Sequence, residues 1–246
     1  MDCKLDGKVA VITGGARGIG YAAATALANE GATVVVGDLG FTPHVLEKFV
    51  TIGQESIYAG YLDVTNEKAV QNFFQLIVKK FHTIDIFYSN AGICQNGKPF
   101  EEVNQHEWDK MYAVNTFGGI SCLRQVVPIM KMQRSGKIIL SGSIAAEVGG
   151  IRTVASYAAS KASNISIMMS LAKELGPYGI NVNAVSPGII ETPMTEALSP
   201  VDADTILLKR FGTGTDMGNI ILFLSCHMSD YLTGVVIDVN GGQYFR

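Results

Sequence analysis

A short apolar run, Val9-Ala10-Val11-Ile12-Thr13, leads directly into Gly14-Gly15-Ala16-Arg17-Gly18-Ile19-Gly20 and then into a helical stretch from Tyr21 to Asn29. Strand, glycine turn and helix in that order leave few folds open. Glycine gives the turn its positive φ and lets backbone approach closely. A turn feeding a helix N-terminus leaves amide groups unpaired beside the positive end of the helix dipole. Such a turn suits a pyrophosphate, and Gly14, Arg17, Gly18, Ile19 and Gly20 are the candidate contacts. The Gly-Lys-Ser/Thr ending of a nucleoside triphosphate loop is missing, so that chemistry is not supported. A tight turn with no ligand is the plain alternative, disfavoured by its place at the start of the first strand-helix unit.

Further short β-branched runs follow at Thr33 to Val36, Ile84 to Tyr88, Lys137 to Leu140, Asn181 to Val185 and Val235 to Val239. Each reads as a buried strand. Between them lie segments of helical period. In Glu67 to Lys80, for example, Val70, Phe73, Phe74 and Ile77 fall at i, i+3, i+4 and i+7, an apolar stripe with charges opposite. Alternation of this kind predicts a parallel sheet with right-handed crossovers and helices on both faces. Hydrophobic residues make up 48% of the 246 residues and charged residues 17%, enough apolar material for a sheet buried on both sides. One domain, 1-246, is expected. The rhythm breaks only from Pro187 to Gly214, where a short helix is expected at Asp204 to Leu208; this stretch reads as a flap over a site or as a surface excursion.

The second strand ends in Val36-Gly37-Asp38-Leu39, with Asp38 18 positions after Gly20. That is close to the offset at which a carboxylate meets an adenosine ribose. Asp38 would accept from the ribose hydroxyls and repel a 2′-phosphate, which favours NAD. Arg17 argues the other way, since a guanidinium beside the turn can pair with that phosphate.

Tyr157 and Lys161 lie four residues apart in Ser156-Tyr157-Ala158-Ala159-Ser160-Lys161, on one face of a helix. An ammonium near a phenol favours the phenolate and draws its pKa down. In isolation the pair is more often a solvated helix face; following a dinucleotide turn it reads as a proton-transfer site.

Together these residues resemble the classical short-chain dehydrogenase/reductase family over essentially the whole chain. The resemblance implies a Rossmann-like, doubly wound α/β fold with a mostly seven-stranded parallel sheet. It also implies that Asp63 and Val64 border the adenine, that Asn90-Ala91-Gly92 closes the fourth strand beside the cofactor, and that Leu39 joins Asp38 there. Asn115 resembles the family asparagine that helps hold a water near the active-site lysine. Gly136-Lys137-Ile138-Ile139-Leu140-Ser141-Gly142-Ser143 resembles the fifth strand and catalytic serine, placing that serine at Ser143 with Ser141 as the alternative. Pro187, Gly188, Ile190 and Thr192 resemble the nicotinamide-side segment. Ser89 before Asn90 and Asn240 after Val239 depart from the family pattern without removing a catalytic group.

By this resemblance Tyr157 is the general acid/base, Lys161 lowers its pKa and binds the nicotinamide ribose, Ser143 holds the substrate oxygen, and Asn115 links Lys161 to solvent. The expected activity is NAD-dependent interconversion of a secondary alcohol and a ketone. Two alternatives remain: a 3-oxoacyl carrier-protein reductase using NADP, and a non-catalytic NAD(H)-sensing protein. Ala145, Glu147, Ile151, Cys94, Glu191 and Met194 are candidates to shape the substrate pocket. Substrate identity, physiological direction and stereospecificity are not legible.

The net charge of -3, with scattered Lys and Arg, argues against nucleic acid as a partner. Cys3, Cys94, Cys122 and Cys226 have no metal-ligand spacing, so no metal is expected and the thiols suit a reducing compartment. The N-terminus lacks the apolar core of a secretory signal, and no run reaches membrane-spanning length. A soluble, cytoplasmic protein is expected. The resemblance implies a homotetramer, or else a dimer, with helices around 104 to 131 and 156 to 175 at the interfaces.

Overall fold

The computed structural model describes residues 3–41, 56–150, 153–198 and 202–246. Seven parallel strands form one sheet: β1 (Val9–Thr13), β2 (Thr33–Asp38), β3 (Ile57–Tyr61), β4 (Ile86–Ser89), β5 (Gly136–Ser141), β6 (Ile180–Pro187) and β7 (Val236–Val239), in the order β3-β2-β1-β4-β5-β6-β7. The order reverses between β1 and β4, so the chain leaves the two strands in opposite directions and opens a crevice at their carboxyl ends. The glycine turn follows β1 there, and Asn90 follows β4.

Six strands occupy the apolar runs expected, with ends shifted by at most two residues. β3 is the one the pattern hid. In Ile57-Tyr58-Ala59-Gly60-Tyr61 only Ile57 is buried, and the strand is held at the sheet edge by its pairing to β2 rather than by an apolar face.

The helices are α1 (Gly18–Asn29), α2 (Glu67–Phe81), α3 (Gln105–Tyr112), α4 (Gly118–Gln133), α5 (Ala145–Val148), α6 (Ala155–Leu175), α7 (Pro193–Glu196) and α8 (Gly214–Ser225). On one face of the sheet α1 and α8 cover Ala10, Ile12, Val34, Val36, Ile86 and Tyr88. These two helices lie close because α8 presents glycine: a Cβ added at Gly214 or Gly218 would meet Ala22 at 3.1 or 3.0 Å. On the other face α2, α4 and α6 bury Phe73, Phe74, Val126, Met130, Met168 and Leu175 against Val11, Val35 and Phe87. Full burial of each such side chain contributes about 1.5–3 kcal/mol. The α2 stripe is buried at all four expected positions, Asn66 caps its first turn through Ala69 N at 3.0 Å, and His82 ends it in the left-handed region.

Two local features differ from expectation. Between α3 and α4 the ladder widens into a π turn over Ala113–Phe117, which residue periodicity does not reveal. Asp204 to Leu208 is not a helix: a 3-10 turn at Ala203–Thr205 gives way to extended backbone at Ile206. There Ile206 is buried while Leu207 and Leu208 face solvent, so no helical face forms. Among the described residues no helix is long and apolar enough to cross a membrane, and no group of His, Cys, Asp and Glu is placed to hold a metal ion.

Candidate active site

The carboxyl ends of β1 and β4 are stapled together. Asn90 Nδ2 donates to the carbonyls of Thr13 (3.1 Å) and Gly14 (2.7 Å), while Thr13 Oγ1 accepts from the amides of Asn90 and Ala91 at 3.1 and 3.2 Å. This closeness requires glycine at position 14, where φ is +68° and an added Cβ would lie 2.7 Å from Ala91 Cα. At Gly18, with φ +56°, an added Cβ would meet Thr192 Cγ2 at 3.3 Å. The glycine turn therefore faces the segment after β6. Arg17, exposed, occupies the N-cap of α1 with no side-chain cap, and Ile19 packs against the α1 core.

At the end of β2 the Asp38 carboxylate accepts from the amides of Ala16 (3.0 Å) and Gly40 (2.8 Å). Leu39 beside it is 60% exposed, an apolar side chain free to cover a flat ring. Asp63 Oδ1 is engaged within its own turn by Thr65 N and Oγ1 at 2.9 and 2.7 Å, and Val64 packs against Gly118 at the start of α4.

Around Tyr157 the polar groups converge from four elements. Ser143, two residues beyond β5, hydrogen-bonds the Tyr157 phenol and accepts from the Ala145 amide at 3.2 Å. Ser141 does not reach the site through its side chain: its hydroxyl donates to Tyr88 Oη at 2.9 Å inside the opposite core. Of the two sequence candidates, Ser143 is the one whose hydroxyl meets Tyr157. Lys161 is buried; its Nζ donates to the Ser141 carbonyl at 3.3 Å and lies 5.8 Å from the Tyr157 ring centre. The Asn115 carboxamide pairs with both backbone groups of Ile93, accepting from its amide (2.8 Å) and donating to its carbonyl (3.0 Å), and also donates to Ser160 Oγ at 3.0 Å. A Cβ added at Gly92 would sit 3.3 Å from Asn115 Oδ1 and 3.4 Å from Lys161 Nζ. That leaves a small cradle in front of the ammonium.

Electrostatics correct one expectation. The Tyr157 phenol is not drawn down: burial pushes its pKa well above the ordinary 10.0, a Cys94 thiolate would push it further, and only the Ser143 bond opposes them. Burial also lowers Lys161, from 10.5 to about 8. A buried phenol holds its proton and a buried ammonium gives one up more readily. Cys94 faces both groups, and burial raises its own thiol to about 11.

Beyond β6, Gly188 donates to Val239 O at 3.0 Å and Ile189 N to Gln243 Oε1 at 3.0 Å, fixing the segment after Pro187 against the chain end. The Ile190 carbonyl is taken by Thr195 Oγ1 at 2.6 Å, and Thr192 caps α7 in a capping box. Of the pocket candidates, Ala145 adjoins Ser143, Glu147 is ion-paired with Arg246 at 2.8 Å, Glu191 lies near Arg210, and Met194 is 40% exposed. Ile151 lies outside the described residues, as do 199–201 of the expected flap. Asn240, which departs from the family pattern, holds Tyr244 O and Gly242 N at 3.0 and 2.9 Å.

Sequence reasoning passed over Asn164 and Ser160, both buried on the sheet side of α6. The signal was present: Ser156, Ser160 and Asn164 recur every four residues, a polar stripe on a face that should be apolar. A cavity of about 400 Å³ at the amino ends of the strands, lined by Lys8, Asp85, Lys137, Cys226 and Asp230 among others, shares no residue with the Tyr157 cluster.

A doubly wound sheet, a glycine turn at its switch point, an acidic group closing β2 and a Ser-Tyr-Lys cluster beside the segment after β4 define an oxidoreductase that works with a nicotinamide dinucleotide. A family model described as enoyl-(acyl carrier protein) reductase matches residues 14–243, and the chain belongs to the short-chain dehydrogenase/reductase family. It is 38% identical to a 3-oxoacyl-[acyl-carrier-protein] reductase of Thermotoga maritima, over 97% of this chain and 98% of the relative. It is 36% identical to the enzyme of that description from Aquifex aeolicus, over 99% and 100%. Among solved structures, a Brucella melitensis 3-ketoacyl-(acyl-carrier-protein) reductase complexed with NADH matches with TM-score 0.93 at 30% identity, covering 98% of this chain and 100% of that one. Levodione reductase matches with TM-score 0.87 at 29% identity, covering 97% and 98%.

Proposed function

We propose that this chain reduces 3-oxoacyl thioesters to 3-hydroxyacyl thioesters with NADH. The observation that carries the substrate class is full-length similarity to 3-oxoacyl carrier-protein reductases. Asp38 and the acidic net charge had favoured a free alcohol or ketone, but Asp38 bears on the cofactor and net charge on the surface as a whole. Neither describes the acyl site.

The residues fit a dinucleotide. Gly14, Arg17, Gly18, Ile19 and Gly20 would hold the pyrophosphate, Asp38 and Leu39 the adenosine, Asp63 and Val64 the adenine edge. Asn90, Ala91, Gly92, Pro187, Gly188, Ile190 and Thr192 would line the nicotinamide half. The Asp38 carboxylate, already oriented by two amides, has lone pairs left for ribose hydroxyls and repels a 2′-phosphate. The Brucella reductase, named with NADH, supports that pairing of cofactor and activity. When bound, the nicotinamide supplies the hydride.

The chain supplies the proton. Ser143 donates to the substrate carbonyl oxygen, and Tyr157, kept protonated by burial, donates its phenolic proton to that oxygen as negative charge develops there. Lys161 stabilises the phenolate left behind, and Asn115 holds Ile93, the residue that follows the cradle at Gly92. A phenol biased toward its protonated form suits reduction better than oxidation.

The test is an absorbance assay of NADH and NADPH oxidation with acetoacetyl thioesters, on coenzyme A and on a carrier protein, beside a panel of free ketones and alcohols. Thioester turnover with NADH is expected. Turnover of free cyclic or hydroxy ketones alone would establish the second reading, a small-ketone reductase, which the likeness to levodione reductase favours. Association as a homotetramer in the cytoplasm belongs to the same proposal; a monomer by light scattering would remove the oligomer.

A further inference from the structure

Asn164 sits on α6 three residues beyond Lys161, on the face that meets β5 and the π turn. A buried carboxamide is costly unless its donors are used. Both are: Asn164 Nδ2 donates to the main-chain carbonyls of Asn115 (3.0 Å) and Ser141 (3.1 Å). With two carbonyl acceptors on one side, only the NH2 can point there, so the orientation of the amide is fixed. The Asn115 carbonyl lies in the π turn, where the ordinary helical ladder is interrupted. The Ser141 carbonyl is the one that also receives Lys161 Nζ at 3.3 Å. One side chain thus ties the backbone of Asn115, the end of β5 and the anchor of the Lys161 ammonium.

We propose that Asn164 is a positioning residue: its two amide hydrogens occupy the carbonyls of Asn115 and Ser141, and so set where the Lys161 ammonium rests and how basic it is. The ammonium shares the Ser141 oxygen with an N–H dipole whose positive end points the same way, which disfavours the charged form. The titratable groups facing Lys161 are Tyr157, from its own helix, and Cys94, from the segment after β4; Ser141 and Asn115 face it uncharged.

The inference rests on the reading that Lys161 and Tyr157 carry proton transfer, so the experiment has one arm independent of activity. In protein labelled at lysine Cε, the Lys161 resonance is titrated by NMR in the parent, Asn164→Leu and Asn164→Ser. Leu removes both donors at similar volume; Ser keeps at most one. The Lys161 pKa should rise by about half a unit or more in the Leu variant, with Ser between parent and Leu. In the second arm the alkaline limb of the kcat pH profile should move upward in the same order, with KM for NADH changed less than kcat. An unmoved Lys161 titration in both variants overturns the proposal, as does a fall in kcat and stability with an unmoved pH profile. If Leu does not fold, the Ser variant decides alone by the same criteria. A parent enzyme that turns over nothing would sink the proposed function while leaving the NMR arm to judge Asn164.

Discussion

The Asp38 carboxylate at the end of β2 accepts a hydrogen bond from the amide of Ala16, inside the glycine turn, at 3.0 Å. The acid and the turn are thereby locked as one unit, and a 2′-phosphate would have to enter against a fixed negative charge. NADH should outperform NADPH in the parent enzyme. Asp38→Ser should raise kcat/KM for NADPH relative to NADH by at least about tenfold, corresponding to about 1.4 kcal/mol. Steady-state kinetics with both cofactors decide it, and a parent that prefers NADPH refutes the role of Asp38.

Tyr157→Phe removes the proton donor and keeps the ring. Turnover should fall by about 10²- to 10⁴-fold, while NADH binding, followed by fluorescence, stays within a few-fold. In the parent, burial keeps the phenol protonated across the neutral range, whereas Lys161 loses its charge above about 8. The rate of reduction should therefore be flat below that pH and decline above it. A variant with parental turnover removes Tyr157 from the chemistry.

Ser143 and Ser141 flank Gly142, yet one hydroxyl meets Tyr157 and the other Tyr88. Ser143→Ala should cost turnover with little loss of stability. Ser141→Ala should show the reverse emphasis, losing about 1–3 kcal/mol in denaturant unfolding because the Tyr88 hydroxyl is left buried and unpaired. Equal losses of turnover in the two variants would void the distinction.

These contrasts mark what could be read in the sequence. The sheet was legible because β1, β2 and β4 to β7 are largely apolar runs, and the glycine turn because Gly14 and Gly18 stand at positive φ where backbone or side chain approaches closely. β3 was not, because an edge strand with one buried residue carries no apolar pattern. The resting state of Tyr157 was misjudged for a related reason: spacing puts Lys161 near the phenol, but burial, which acts on both groups and keeps the phenol protonated, depends on the whole packed core. Asn164 escaped notice because its partners are backbone carbonyls of Asn115 and Ser141, which no side-chain pattern announces.

Lys161 offers the last test. Its ordinary pKa of 10.5 falls to about 8 in the folded protein because the ammonium is buried. Between those values the unfolded chain holds one more proton than the folded one, so the stability tied to this group is present above 10.5 and is lost as pH falls through about 8. At neutral pH the folded state therefore carries the full cost of a buried charge. Lys161→Met, similar in length and uncharged, should abolish reduction yet unfold at higher temperature than the parent at pH 7, with a gain of about 1–3 kcal/mol. The gap should narrow as pH approaches 10. Calorimetry across that range checks it, and a variant less stable than the parent at pH 7 would mean that the bond to the Ser141 carbonyl outweighs the cost of burial.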